Sequence, residues 1–179
     1  QINQDSINCS INLSDSTAII GTTWSYPYTT NGGRIFKYQS GVWMGKGRLG
    51  TARTVLSFAL GTGAIFAGAS AETETGYSIY RSLDNGENWD RILYDVPIHT
   101  VRPAHGVVIY GTGAIPLWRS TDNGVNWEEY IPQEEYLEWD EELEEYVTKY
   151  RDLTSFWAIK KYYGGLIGLV GGTTVFYSE

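Results

Sequence analysis

Hydrophobic residues fall along this chain in short runs, each bounded by Gly, Asn, Asp or Ser. Near the start, Ile7, Cys9, Ile11 and Leu13 alternate with Asn8, Ser10 and Asn12, the period of two that gives a strand one apolar face. Runs of similar length follow at 17–22, 34–38 and 42–48, then at 54–60 and 64–68, and at 100–104 and 107–111. The last are at 154–160, 165–171 and 173–178. Their length and flanking turn residues predict β-strands. None approaches the ~20 apolar residues of a membrane helix, so no membrane span is expected.

The runs repeat as a set. Tyr80-Arg81-Ser82-Leu83-Asp84-Asn85-Gly86-Glu87-Asn88-Trp89 matches Trp118-Arg119-Ser120-Thr121-Asp122-Asn123-Gly124-Val125-Asn126-Trp127, both containing Ser-x-Asp-x-Gly-x-x-Trp. Aligning Phe36, Tyr80, Trp118 and Phe176 gives steps of 44, 38 and 58 residues, with four strands per unit. Periods near 40 predict propeller blades. The expected fold is all-β, a small four-bladed β-propeller forming one domain over 1–179. Blade 1 covers about 7–49, blade 2 about 53–94 and blade 3 about 98–131. An acidic insertion at 132–152 precedes blade 4 at about 153–179, and 1–6 form an N-terminal arm. In blade 1 the third turn is shortened and has no Asp. Abundant Gly (21 residues), with as many Tyr and Trp together, suits short strands and tight turns.

Each motif residue has a folding task. Asp84 and Asp122 can accept nearby backbone N–H groups, Asn and Gly tolerate positive φ, and Ser82 and Ser120 add local bonds. Gly86 and Gly124 complete the turn, and Trp89 and Trp127 pack on it. The pattern resembles the Asp-box, or BNR, repeat of sialidase-like and related propellers. That resemblance implies a largely extracellular protein whose boxes are structural. The chain begins at Gln1 rather than Met, which with the resemblance leads to an expectation of processing and export to the cell surface or beyond.

A catalytic role is not expected. Sialidases use six blades, an arginine cluster and a Tyr–Glu pair. Here Arg34, Arg53, Arg81, Arg91, Arg102 and Arg119 are scattered, and Arg81 and Arg119 occupy equivalent repeat positions. Glycoside hydrolysis needs two facing carboxylates, whereas the acids here lie in one local run. His99, His105 and Cys9 show no metal-ligand spacing, so no metal and no cofactor are expected. Segment 128–152 holds eleven acids against two bases, a net of −9, and the rest sums to about +1. No basic stripe invites nucleic acid.

Three features point toward partners. The insertion reads as a hairpin, with Tyr136, Trp139, Tyr146 and Tyr150 as candidate interface anchors. A helical turn over 137–143 is the alternative. The fourth repeat reaches Glu179 inside its third strand, at Phe176 and Tyr177, so an outer strand is expected from elsewhere. Residues 1–6 with Ile2, continued by Ile7 and Ile11, are the candidate donor, within one molecule or between molecules. Asn8 and Asn12 match the N-glycosylation pattern. Cys9, the single cysteine, is expected to be a small buried apolar residue. The leading expectation is a secreted structural subunit that joins copies of itself into a filament by strand donation. The alternative is a monomeric module binding glycans or other surface proteins.

Overall fold

The structure is a computed structural model. It describes residues 6–23, 33–70, 76–96, 98–103, 109–113, 117–131, 133–152, 156–162, 165–170 and 174–178. Among these residues every regular element is a β-strand. The first four are β1 (Ser6–Ser14), β2 (Thr17–Thr23), β3 (Arg34–Gln39) and β4 (Val42–Arg48). Next come β5 (Thr54–Gly61), β6 (Ala64–Ser70), β7 (Tyr77–Ser82) and β8 (Asp90–Val96). A third set is β9 (Ile98–Pro103), β10 (Ile109–Gly113), β11 (Leu117–Ser120) and β12 (Glu128–Tyr130). After it stand β13 (Gln133–Asp140) and β14 (Glu145–Asp152), then β15 (Phe156–Tyr162), β16 (Gly165–Val170) and β17 (Thr174–Ser178).

Within each set, strands adjacent in sequence pair antiparallel. Among the described residues the pair of Thr23 with Thr54 joins the first two sets into one curled sheet. Turn chemistry explains the tight connections. Ser40 and Gly41, both at positive φ, link β3 to β4 as a two-residue hairpin turn. This is the shortened turn that has no Asp.

The first strand of every set carries an extra residue near its start. Against the partner strand, the register skips Asn8 in β1, Leu56 in β5, His99 in β9 and Trp157 in β15. In β5 this bulge reverses the phase of the pleat, so Val55 and Phe58, three residues apart, share a face. His99 therefore lies inside the strand rather than before it.

First strands also meet one another: β1 packs on β5, β5 on β9 and β9 on β15. Two apolar clusters fill the seams. Between the first and second sets lie Ile19, Ile35, Leu49, Val55, Phe58, Ile65 and Tyr80, with Cys9, Ile11, Leu13 and Trp89 at the margin. Between the second and third lie Ala59, Ala64, Phe66, Ile79, Val96 and Val101, flanked by Ile92, Leu93, Trp118 and Trp127. Strand β6 is buried on both faces, which explains its unbroken apolar sequence. Ser57 stitches the second seam, its buried hydroxyl accepting the Val101 N–H at 2.9 Å.

Candidate functional site

The two Asp-box turns fold on one plan. The Ser82 hydroxyl donates to Asp84 Oδ1 and accepts the Gly86 N–H, each at 2.8 Å. Asp84 Oδ1 also accepts the Asn88 N–H at 2.8 Å, and Oδ2 takes the Asn88 side-chain amide at 2.6 Å. In the second turn the Ser120 hydroxyl donates to Asp122 Oδ1 at 2.9 Å and accepts the Gly124 N–H at 2.7 Å. Asp122 Oδ1 accepts the N–H groups of Val125 (3.0 Å) and Asn126 (2.8 Å), and Oδ2 takes the Asn126 amide at 2.6 Å. Asn85 and Asn123 stand at φ 61° and 58°, with Gly86 and Gly124 at 84° and 79°, all left-handed. These donors, led by the backbone N–H of Asn88 and of Asn126, bring both carboxyls down to about 2. Such a carboxylate is ionised at neutral pH and its lone pairs are committed, which makes it a poor proton donor.

Each box is wedged against the sheet before it. A Cβ on Gly86 would stand 2.4 Å from Ile19 Cδ1, and one on Gly124 2.4 Å from Phe66 Cε1. Ile19 and Phe66 hold equivalent places: each precedes the residue, Ile20 or Ala67, that pairs with Phe36 or Tyr80. The cation after that aromatic reaches the next box. Buried Lys37 donates to Glu87 Oε1 at 2.7 Å, joined by Lys46 on Oε2 at 2.5 Å. Lys37 first and Lys46 second hold the Glu87 carboxyl below its ordinary range. Arg81 donates from Nη1 to the Asn123 carbonyl at 3.3 Å. Arg119, next in the series, turns to its own sheet, meeting Glu128 Oε1 at 2.6 Å and lying 4.4 Å over the Tyr130 ring. Arg91 goes to Ser78 Oγ at 2.8 Å and to the Tyr94 ring. These arginines thus end on separate partners.

Trp89 packs on Phe58, and its Nε1 donates to the Gly86 carbonyl at 3.3 Å. Trp127 packs on the second cluster, and its Nε1 has no hydrogen-bond partner among the described residues. The structure adds Asn88, Asn126 and Lys37 to the residues that build the boxes. The two asparagines had a visible signal, since both repeats place Asn just before Trp.

The acidic segment forms the β13–β14 hairpin, with its turn at 141–144. Asp140 Oδ1 accepts the N–H groups of Glu142 (3.0 Å) and Leu143 (3.1 Å), and Glu144 takes a left-handed φ of 53°. The register pairs Trp139 with Tyr146, Leu137 with Thr148 and Glu135 with Tyr150. Leu137, Trp139, Tyr146 and Tyr150 therefore share one face, at 65, 50, 66 and 63 % exposure. Trp139 and Tyr146 meet edge to face, centroids 5.2 Å apart. Tyr136 lies on the opposite face, its hydroxyl 3.3 Å from Glu138 Oε2, and Glu138 pairs with Lys149 at 2.9 Å. Neither strand pairs with another strand among the described residues.

In the N-terminal strand, Cys9 is half-buried and its thiol donates to the Val55 carbonyl at 3.3 Å. Ile11 packs on the first cluster, whereas Ile7 is exposed. The Asn8 amide nitrogen, the atom a glycan would take, donates to the same Val55 carbonyl at 2.8 Å, while Asn12 is exposed. Ile2 and His105 lie outside the described residues, as do the side chains of His99, Arg102, Phe176 and Tyr177. By register Phe176 faces Gly168 and Tyr177 faces Ile167 across β16–β17. Among the described residues no group of three His, Cys, Asp or Glu is placed to hold a metal ion, and no helix is long and apolar enough to cross a membrane.

Consecutive four-strand antiparallel sheets, stacked through their first strands, are the architecture of a β-propeller. Among solved structures, the chain is similar to YCF48, a β-propeller, in its complex with a D1 peptide, at a TM-score of 0.54 and 12 % identity. The match covers 98 % of this chain and 65 % of YCF48. The protein thus has an all-β propeller fold and spans about two thirds of that neighbour's length. No family model matches the sequence. No curated protein matches it either.

Proposed function

We propose that the protein is a non-catalytic, extracellular propeller of four Asp-box-type blades that works as a binding module for glycans or other surface proteins. The blade count is supported by the bulge that recurs at Asn8, Leu56, His99 and Trp157, a period independent of the box motif. The binding reading is carried by one observation. The box side chains are spent on the fold, while the large aromatics of the hairpin are exposed on one face. YCF48 in complex with a peptide shows that a propeller of related shape can present a surface to a chain ligand.

The test is to screen the intact protein against oligosaccharide and peptide arrays, beside a triple variant, Trp139→Ser with Tyr146→Ser and Tyr150→Ser. Hairpin-dependent binding is expected. Turnover of any bound glycan would overturn the non-catalytic reading.

A second reading is self-assembly by strand donation. One observation favours it: among the described residues β17 pairs with β16 alone, so this last set has three strands where each of the first three sets has four. Sedimentation beside a form lacking residues 1–6 decides it. Large species that vanish on trimming support donation, and equal small species for both forms exclude it.

A further inference from the structure

We propose that the β13–β14 hairpin docks a basic protein segment in which Lys or Arg alternates with bulky apolar side chains. This rests on the binding-module reading and names the ligand. The hairpin has two strands and no core of its own, so its apolar face is covered when a partner arrives. That face carries Leu137, Trp139, Tyr146 and Tyr150 in register. Leu143 stands exposed at the tip.

Charge selects the partner. Residues 133–152 hold nine acids against two bases, a net of −7, and one of those bases, Lys149, is already paired with Glu138. Exposed Glu141, Glu142, Glu144 and Glu145 ring the turn beside the aromatic face. Such a surface repels phosphate-bearing partners and the same hairpin of a second copy, and it attracts cations. The Trp139, Tyr146 and Tyr150 rings add cation–π attraction.

Geometry sets the alternation. Both strands of the hairpin keep an outer edge without a strand partner among the described residues. An extended segment can therefore add as a third strand. Its side chains would then fall alternately on the aromatic face and on the opposite face, where Asp140 and Glu145 stand next to Val147 and the Glu138–Lys149 pair. Apolar residues suit the first face and Lys or Arg the second.

Calorimetric titration of the intact protein with the peptide Lys-Leu-Arg-Tyr-Lys-Leu-Arg-Tyr tests this, beside the same peptide with Glu at every basic position. Binding of the basic peptide alone is expected, weakened as salt rises from about 0.05 to about 0.5 M. The triple aromatic variant should weaken it about tenfold or more. Glu141→Gln with Glu142→Gln and Glu144→Gln should flatten the salt dependence. Circular dichroism melts confirm that the variants fold. Equal binding of the acidic peptide, or basic-peptide binding that neither variant changes, overturns the proposal. So does hairpin-dependent dimerisation in sedimentation, which would make a second copy the occupant. If the basic peptide fails but array ligands still bind through the hairpin, this inference falls and the binding-module reading stands. If no ligand responds to the aromatic variant, both fall.

Discussion

The Asp-box turns and the tip of the acidic hairpin are both led by an aspartate that accepts backbone N–H groups, yet they sit in opposite surroundings. Asp84 and Asp122 anchor turns wedged between sheets, where Gly86 and Gly124 leave no room for a side chain. Asp140 anchors a turn in solvent, where Glu144 occupies the left-handed position without glycine. The difference teaches what a turn is for. A turn that packs one sheet on the next is chosen for space, and a turn that presents a face is chosen for charge.

The strongest way to break that comparison is to fill the wedge. Gly124→Ala would force a left-handed alanine and drive its Cβ into the buried, rigid Phe66 ring. A loss of about 2 to 4 kcal/mol is expected from the two costs together. Gly86→Ala meets the terminal methyl of Ile19, which can rotate aside, so its loss should be smaller. Urea unfolding of both variants checks the order, and equal midpoints would show that packing against Phe66 is not the deciding cost.

Ser82→Ala or Ser120→Ala comes next. Each removes the hydroxyl that accepts a buried glycine N–H and donates to the aspartate. An unpaired buried N–H costs about 1 to 3 kcal/mol. The same measurement reads it, and a loss near zero would mean that water replaces the hydroxyl.

The box aspartates also give the fold an acid limit. Their folded-state value near 2 lies below the ordinary 3.8, so the stability they contribute is fully present above about 4. It is lost as pH falls from there toward 2. Melting temperature should drop across that window. Asp84→Asn with Asp122→Asn should lower it at pH 7 and flatten the drop, and an unchanged slope would assign the acid sensitivity to other groups.

Much of this is legible in the sequence, because the box motif is repeated almost letter for letter. Ser, Asp, Gly and Trp each announce a local task, and the strand runs are cut cleanly by turn residues. The bulges were not legible: Asn8, Leu56, His99 and Trp157 share no chemistry, and only register reveals their common place. Lys37 and Glu87 are 50 residues apart and meet only when one sheet stacks on the next. Tyr136 looked equivalent to Trp139, Tyr146 and Tyr150. Three residues before Trp139 in the same strand, it falls on the other face by the pleat alone, and the turn at 141–144 sets Tyr146 and Tyr150 on the face of Trp139.

The smallest expected effects lie in the hairpin. Trp139→Ala should change global stability by less than about 0.5 kcal/mol, since the side chain is half exposed and the hairpin pairs with no other described strand. Glu144→Gly should act locally, because glycine takes φ 53° without the cost a glutamate bears. Slower amide exchange across β13 and β14 is the expected readout, with an unchanged melting temperature for the whole protein. A shift in the global melt from either substitution would mean that the hairpin unfolds with the propeller, and its aromatic face would then belong to the core rather than to a partner.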